Sequence, residues 1–277
     1  MKIAKNIKNL IAASFFAATL FACGGSPQTA EDTLVQEEEA EAETTTPAEG
    51  AAPQYNMLTA EEEAEGWTLL FDGESVDQWK GAFQEGDNFP EQGWMVDNGL
   101  LIVQESGGGE SKNGGDIVTR ELYDNFELKV DFKLTPGANS GIKYYVDPAQ
   151  EPNPGSAIGL EYQLLDDDLH PDAKKGRDGN RTIGSLYDLK TASADKPVNP
   201  VGEWNTAHII ADNNKIEHWL NGEKVLEYER GSQEYKDLVA ISKYKVHDNF
   251  GMVNKGHILL QDHGNTVMFR NIKVRKL

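Results

Sequence analysis

Nine residues, Phe126-Glu127-Leu128-Lys129-Val130-Asp131-Phe132-Lys133-Leu134, constrain the fold more than any other stretch: five apolar side chains alternate with four charged ones. Strict alternation has the period of a β-strand, not of a helix. It requires a strand with one buried face and one wet face, the usual condition in antiparallel sheets. Other segments repeat the pattern in shorter form. Trp67–Phe71, Trp94–Val96, Leu100–Val103, Asp116–Thr119, Ile142–Val146, Ile158–Leu165 and Thr182–Leu189 read as strands. Glu203–Asp212, Lys215–Leu220 and Lys224–Tyr228 read as a meander, and Ile258–Gln261 with Val267–Val274 as a final hairpin. Asp97-Asn98-Gly99 and Asn221-Gly222 are tight-turn signals, because Asn and Gly accept positive φ. Glu234–Tyr244 is the one convincing short helix. About a dozen short strands and one helix predict an all-β sandwich, most simply a jelly roll, over residues 67–277. No internal repeat is visible.

The N-terminus reads as an address. Lys2, Lys5 and Lys8 precede an apolar run, Leu10–Ala22, that is too short for an ordinary membrane span. It ends Leu20-Phe21-Ala22-Cys23, which resembles a bacterial lipoprotein signal: residues 1–22 are removed and Cys23, the only cysteine, is lipidated. Residues 23–66 follow as a disordered acidic tether with twelve Asp/Glu and no Lys/Arg, and a short helical turn near Leu58–Ala64. The expected location is the cell envelope. Gly24, where an aspartate often retains lipoproteins at the inner membrane, favours the outer membrane, reached only through the lipid. With +3 in residues 1–23 and −12 in the tether, −11 of the net −20 falls on residues 67–277. That sign argues against a nucleic-acid partner. With Cys23 so used, no disulfide is expected.

Candidate chemistry concentrates in Gly159-Leu160-Glu161-Tyr162-Gln163-Leu164-Leu165-Asp166. Side chains two apart share a face, so Glu161 and Gln163 point the same way. One β-bulge at Leu164-Leu165 would bring Asp166 beside Glu161. A row of acid, amide and acid suits proton movement on a bound polar ligand; the plain alternative is a surface strand with solvated charges. The loop that follows holds Asp166, Asp167, Asp168, Asp172 and Asp178. It lacks EF-hand spacing, so no cofactor is expected, although a structural or catalytic divalent metal such as Ca2+ is not excluded by its acids. The six histidines show no zinc-type spacing. The Gly-rich stretch 106–115 lacks a phosphate-loop ending and reads as a mobile rim.

Seven motifs occur in order: Gly66-Trp67 with Leu70-Phe71-Asp72-Gly73; Asn139-Ser140-Gly141-Ile142; Glu161-x-Gln163-x-x-Asp166; Gly184-x-x-Tyr187; Glu203-Trp204-Asn205; Leu220-Asn221-Gly222; and Gly256-x-Ile258-x-Leu260-Gln261-Asp262-His263-Gly264 with Phe269-Arg270-Asn271-Ile272. Together they resemble the 3-keto-disaccharide hydrolase family over essentially all of 67–277. The resemblance implies a concanavalin-like lectin/glucanase jelly roll and cleavage of glycosides already oxidised at C3. It implies base-catalysed elimination followed by hydration, with Glu161, Asp166 and His263 as acid/base groups. Gln163, Asn139, Lys143, Arg181, Tyr187 and Gln261 are then candidate substrate ligands. His263 stands beside Asp262, where a pKa near neutrality is expected; its alternative is a turn residue. Lys143 stands where the family often carries a basic residue and could polarise the C3 oxygen, and a solvated lysine is the alternative. Among Trp79, Trp94, Trp204 and Trp219, at most one is expected against a sugar. Arg270 reads as a structural pair. The chain lacks a nicotinamide fingerprint, so a separate oxidoreductase would oxidise the sugar. The E-x-Q-x-x-D strand is also similar to the bulged catalytic strand of laminarinase-type glycosidases, with Gln163 in place of the middle acid. An ordinary glycoside hydrolase and a non-catalytic carbohydrate-binding lipoprotein are therefore the competing readings.

Overall fold

In chain order the strands are β1 (Thr68–Leu69), β2 (Trp79–Gly81), β3 (Trp94–Asp97), β4 (Leu100–Val103), β5 (Ile117–Thr119), β6 (Phe126–Leu134), β7 (Asn139–Val146), β8 (Leu160–Leu165), β9 (Trp204–Asp212), β10 (Lys215–Leu220), β11 (Glu223–Glu229), β12 (His257–Leu260) and β13 (Val267–Lys276). They form two antiparallel sheets in a computed structural model that describes residues 55–109, 113–150 and 155–277. The leader, Cys23 and the tether up to residue 54 lie outside these residues. The larger sheet runs β11-β10-β9-β6-β13-β4-β3, with β1 added alongside β13. The smaller runs β2-β5-β12-β7-β8. Among the described residues no helix is long and apolar enough to cross a membrane.

The alternation read in β6 is realised residue by residue: Phe126, Leu128, Val130, Phe132 and Leu134 are buried and the charged residues between them are half-buried. These rings and aliphatics meet Ile142, Tyr144, Leu160, Tyr162 and Leu164 of the smaller sheet in one core. The even-numbered residues of β7 and β8 thus face inward. The odd-numbered ones, Asn139, Gly141, Lys143, Glu161 and Gln163, must face outward, because successive side chains alternate.

Several elements differ from the sequence reading. Thr182–Leu189 is no strand. It is a series of turns held by Thr182 N–H to Gly179 O, Ser185 N–H to Thr182 O and Leu189 N–H to Leu186 O, with only isolated bridges at Leu186. Gly184 at φ 79° and Asp188 at φ 60° break any ladder there. β12 and β13 do not form a hairpin: β12 pairs β5 and β7 in the smaller sheet, and β13 pairs β4 and β6 in the larger. Residues 261–266 are therefore a crossover between sheets.

There is more than one helix. α2 (Gln233–Ala240) is capped by Ser232 and followed by a 3-10 turn at Lys243–Val246. α1 (Ala60–Ala64) begins in a capping box of Thr59 and Glu62. The expected disordered tether therefore stops before Tyr55. Asn56 is buried and exchanges hydrogen bonds with Asn271 at 2.6 and 2.7 Å, and α1 is tied down by Lys273–Glu62 and Arg275–Glu65 pairs. Composition concealed this order, because the partners lie more than 200 residues away.

Candidate active site

The antiparallel register of β7 and β8 builds the site. Lys143 is opposite Glu161, and Gly141 is opposite Gln163. Cross-strand partners share a face. On the other side of β7, Gln261 continues from β12 and donates its N–H to Gly141 O at 3.0 Å. The outward face is covered by residues 155–159, the 166–190 loop and the 3-10 turn at Lys243–Val246. All six residues of β8 are consequently buried, rather than half-buried as its pattern suggested. What remains is a cleft of about 240 Å3 lined by Asn139, Lys143, Glu161, Gln163, Tyr187, Gln261 and His263, with Ile158, Lys243 and Tyr244 on its walls.

Glu161 is the only carboxylate among the described residues that line the cleft. Its side chain lies over Gly141: a Cβ placed on that glycine would sit 2.7 Å from Oε1. With its nitrogen toward Glu161, the Gln163 amide donates to Oε1 at 2.9 Å and to Ser140 O at 3.2 Å. The Asn139 amide lies 3.1 Å from the other side of Gln163. The carboxylate is thus aimed by Gly141 on β7 and by Gln163 two residues along β8. Lys143 donates to Asp116 Oδ2 at 3.2 Å and to Ala157 O at 3.1 Å, both lysine and aspartate being buried. A buried cation needs such a partner, so the solvated alternative for Lys143 does not hold.

Asp166 does not join them. The register stays regular through Leu165, without the expected bulge. Five residues at ~3.3 Å per residue separate Asp166 from Glu161 along the strand by about 16 Å. Its carboxylate accepts backbone N–H groups of Gly137, Asp168 and Leu169. Asp166 shapes the turn and does not face the cleft. Arg181 is also outside it. Arg181 bonds Asp188 at 2.7 Å and Asp172 at 3.0 Å, and Asp172 accepts the Tyr187 hydroxyl at 2.6 Å. The Tyr187 hydroxyl and Arg181 outweigh burial and hold Asp172 below the usual carboxylate range. Burial first, then the bond to Asp172 and the nearby Glu161 charge, raise the Tyr187 phenol, so it stays neutral. Arg181 holds Asp172, the partner of the Tyr187 hydroxyl, and is not among the residues that line the cleft.

The loop acids diverge. Asp167 pairs with Lys196 at 3.0 Å, Asp166 caps a turn, and Asp172 is held as described. Among the described residues no group of three His, Cys, Asp or Glu side chains converges as metal ligands.

His263 lies on the crossover and not at a hairpin turn. Asp262 beside it points away and accepts N–H groups of Gly114, Gly115 and Gly264. The neighbour of His263 is His170, whose ring is edge-on at 6.0 Å. Burial and then the proximity of His263 lower the His170 pKa. The described part of the Gly-rich stretch is bonded to this crossover, with Gly109 N–H donating to His263 O at 2.7 Å and Gly108 N–H to Gly264 O at 3.0 Å. It supports His263 instead of forming a loose rim.

The sequence reading missed Lys243, Tyr244, His170 and the role of Gly141. Lys243 Nζ sits 4.2 Å above the Tyr187 ring. It arrives from the segment after α2, and no local pattern signals that contact. No tryptophan lines the cleft. Trp79 and Trp94 are core residues, Trp204 is stacked by Arg270 at 4.0 Å, and Arg270 pairs with Asp131 as expected.

Comparison with known proteins gives one consistent answer. Residues 66–275 match the model of the 3-keto-α-glucoside-1,2-lyase-like domain. A 3-keto-disaccharide hydrolase of Bacteroides thetaiotaomicron is 35% identical over 246 residues, covering 82% of this chain and 83% of that one. A crystal structure from Parabacteroides distasonis, described as a candidate glycosyl hydrolase, superposes with a TM-score of 0.70 at 35% identity. It covers 81% of this chain and 100% of that one. A second candidate glycosyl hydrolase from the same organism superposes at 0.57 with 28% identity, covering 76% and 99%.

Proposed function

The chain belongs to the 3-keto-α-glucoside-1,2-lyase-like family and is a hydrolase of glycosidic bonds, and from that premise we propose that it cleaves glycosides oxidised at C3 by elimination and hydration. The observation that carries the mechanism is Glu161 on the cleft floor, the one carboxylate among the described residues that line it. Retention by double displacement requires two carboxyl groups about 5–5.5 Å apart, and Asp166 is turned elsewhere. One carboxylate among amides and cations suits a different reaction.

A ketone at C3 acidifies the proton on C2. Glu161 removes that proton, and the electron pair forms an enolate whose charge rests on the C3 oxygen. Gln261 and His263, at one end of the row, stabilise that oxygen. The C1–O bond then breaks, the electrons close a C1=C2 double bond, and the departing oxygen takes a proton from the lysine-lined end of the cleft. Water adds to C1 and gives up a proton to the lysine-lined end that protonated the departing oxygen, a proton returns to C2 from Glu161, and the 3-keto sugar is released with a hydroxyl at C1. Asn139 and Gln163 hold hydroxyls and aim the base. A separate oxidoreductase must supply the C3 ketone. Lipidation at Cys23 would hold the enzyme in the cell envelope, at the outer membrane, with the domain beyond an acidic tether.

The test offers the full chain a glucoside and the same glucoside oxidised at C3, with and without a chelator, and follows aglycone release. Release only from the keto form, insensitive to chelator, is expected. Release from both would instead require a two-carboxylate glycosidase, and glycan binding without product would require a binding protein. Glu161→Gln should reduce kcat by about 10²–10⁴-fold, the usual contribution of general-base catalysis, with an unchanged melting temperature. Turnover near that of the unsubstituted chain would remove Glu161 from the mechanism.

A further inference from the structure

Behind the cleft, a carboxylate is bonded to the cleft's lysine. Asp116, just before β5, is fully buried and does not line the cleft. Its Oδ2 accepts a hydrogen bond from Lys143 Nζ at 3.2 Å, and its Oδ1 accepts the backbone N–H of Asp262 at 2.9 Å. Asp262 stands between Gln261 and His263 on the crossover. One carboxylate therefore touches both the lysine and the segment that presents the two groups at the far end of the row. The backbone of Asp116 is fixed as well: its N–H donates to Gly155 O at 2.8 Å, and its carbonyl accepts Ala82 N–H at 2.8 Å. Ala157 O, which also accepts from Lys143, belongs to the segment that starts at Gly155.

Stability does not account for this arrangement. A buried ion pair roughly offsets its own desolvation, and apolar replacements of similar size are often neutral or stabilising. What the pair supplies is a charge state. Burial drives a lysine toward the neutral amine, and a carboxylate at hydrogen-bond distance opposes that. Lys143 is also directly across the β7–β8 ladder from Glu161. Cross-strand neighbours stand about 5 Å apart at Cβ, and the proton lost from C2 and the oxygen lost from C1 sit on adjacent carbons. The other charged or titratable residues lining the cleft are Glu161, Tyr187, Lys243, Tyr244 and His263. Of the two lysines, Lys243 stands over the Tyr187 ring on a wall, and Lys143 stands on the strand beside the base.

We infer that Asp116 is a positioning residue of the reaction: it keeps Lys143 protonated and in place to give its proton to the oxygen departing from C1. The inference rests on the keto-glycoside reading and names its acid. As the C1–O bond breaks, the departing oxygen takes a proton from Lys143 Nζ. That leaves a neutral amine bonded to Asp116, which stays a carboxylate. The water that adds to C1 returns a proton to the amine, so the ion pair is restored within one turnover.

The test uses the full chain with two glucosides oxidised at C3, one releasing methanol and one releasing 4-nitrophenol, whose anion departs without a proton. Asp116→Asn removes the charge and keeps an oxygen for Asp262 N–H. It should lower kcat for the methyl glycoside about 10²-fold, the low end of what general-acid catalysis contributes, and for the nitrophenyl glycoside by less than about threefold. Lys143→Met with Asp116→Asn leaves no buried charge unpaired and serves where the single variant does not fold; it should show the same split. Equal losses on the two substrates, the mark of a merely structural role, overturn the proposal, as does no loss on either. An unsubstituted chain that cleaves both substrates while the variants show no split leaves the keto-glycoside reading standing and this inference overturned. An unsubstituted chain that cleaves neither overturns both.

Discussion

The base is aimed by a residue without a side chain. A methyl group at position 141 would lie 2.7 Å from Glu161 Oε1 and 3.0 Å from Cγ and Cδ. The atoms that would yield belong to a side chain, so Gly141→Ala should fold and displace the carboxylate. A misplacement of about 1 Å can cost about 10² in rate, and we expect kcat to fall by that order while thermal unfolding changes little. A lower melting temperature with activity retained would show that the glycine serves packing alone. Lys143 and Asp116 call for a different design, because both are buried. Lys143→Met alone leaves a buried carboxylate without its cation and should cost about 3–5 kcal/mol. Lys143→Met with Asp116→Asn should recover most of that in urea unfolding yet remain inactive if the lysine also serves the reaction. A further titratable group lies behind the site. His218 is buried, bonded to Tyr144 Oη at 2.7 Å and Gly184 O at 3.0 Å, and burial lowers its pKa from 6.5 to about 4. Between these values the unfolded imidazole binds a proton that the folded one does not. Stability should therefore fall as pH drops from about 6.5 to about 4, by a total on the order of 3 kcal/mol. Asp172, held below the carboxylate range, adds its loss only at lower pH. Urea midpoints at pH 7, 5.5 and 4 should show the slope, and His218→Gln should reduce it, the remainder coming from His170, His208 and His257, whose pKa values burial also lowers.

At the scale of elements, period-two patterns were legible and long-range pairings were not. Residues 126–134 and 159–165 announced both strands and which of their residues share a face, because parity is a local property of the backbone. Glu161 and Gln163 were therefore found from sequence. Asp166 was misplaced because a bulge was invoked to bring it back, and no local feature states whether a ladder continues regularly. The 182–189 stretch failed for a related reason: its apolar residues Ile183, Leu186 and Leu189 pack inward from turns. Those turns are held from outside by the Arg181, Asp172 and Asp188 network, which also carries Tyr187 and receives Lys243 N–H on Asp188 at 2.8 Å. Arg181→Ala should release Tyr187 and the Lys243 segment together. We expect KM for the keto-glycoside to rise several-fold more than kcat falls, with the loss partly restored by Arg181→Lys, which keeps one of the two ion pairs. Equal loss in kcat and kcat/KM would instead place Arg181 in contact with the transition state.

Across the whole molecule, the two sheets divide the labour. The smaller carries the cleft on its outward face, and the larger receives the first of the described residues, 55–65. From Tyr55 to Glu65 the backbone is fastened to β13 and to the β3–β4 turn. The Tyr55 hydroxyl donates to Asn98 O, and the Asn56 amide donates to Gly99 O at 2.7 Å and exchanges bonds with Asn271. The composition of residues 23–66 suggested a disordered segment with a short helical turn near Leu58–Ala64, and the Asn56–Asn271 pair shows why composition misleads at its end: a few specific long-range hydrogen bonds suffice to order an acidic stretch. The consequence is measurable. A chain beginning at Trp67 loses at least three part-buried hydrogen bonds of about 1 kcal/mol each and the ion pairs of α1. It should be about 2–3 kcal/mol less stable and melt roughly 5–10 °C lower than a chain beginning at Ala51. Its kcat on a keto-glycoside should be unchanged at temperatures below unfolding, because none of the lost contacts reaches the smaller sheet. A loss of activity without a loss of stability would mean that the latch and the cleft communicate through the core between the sheets.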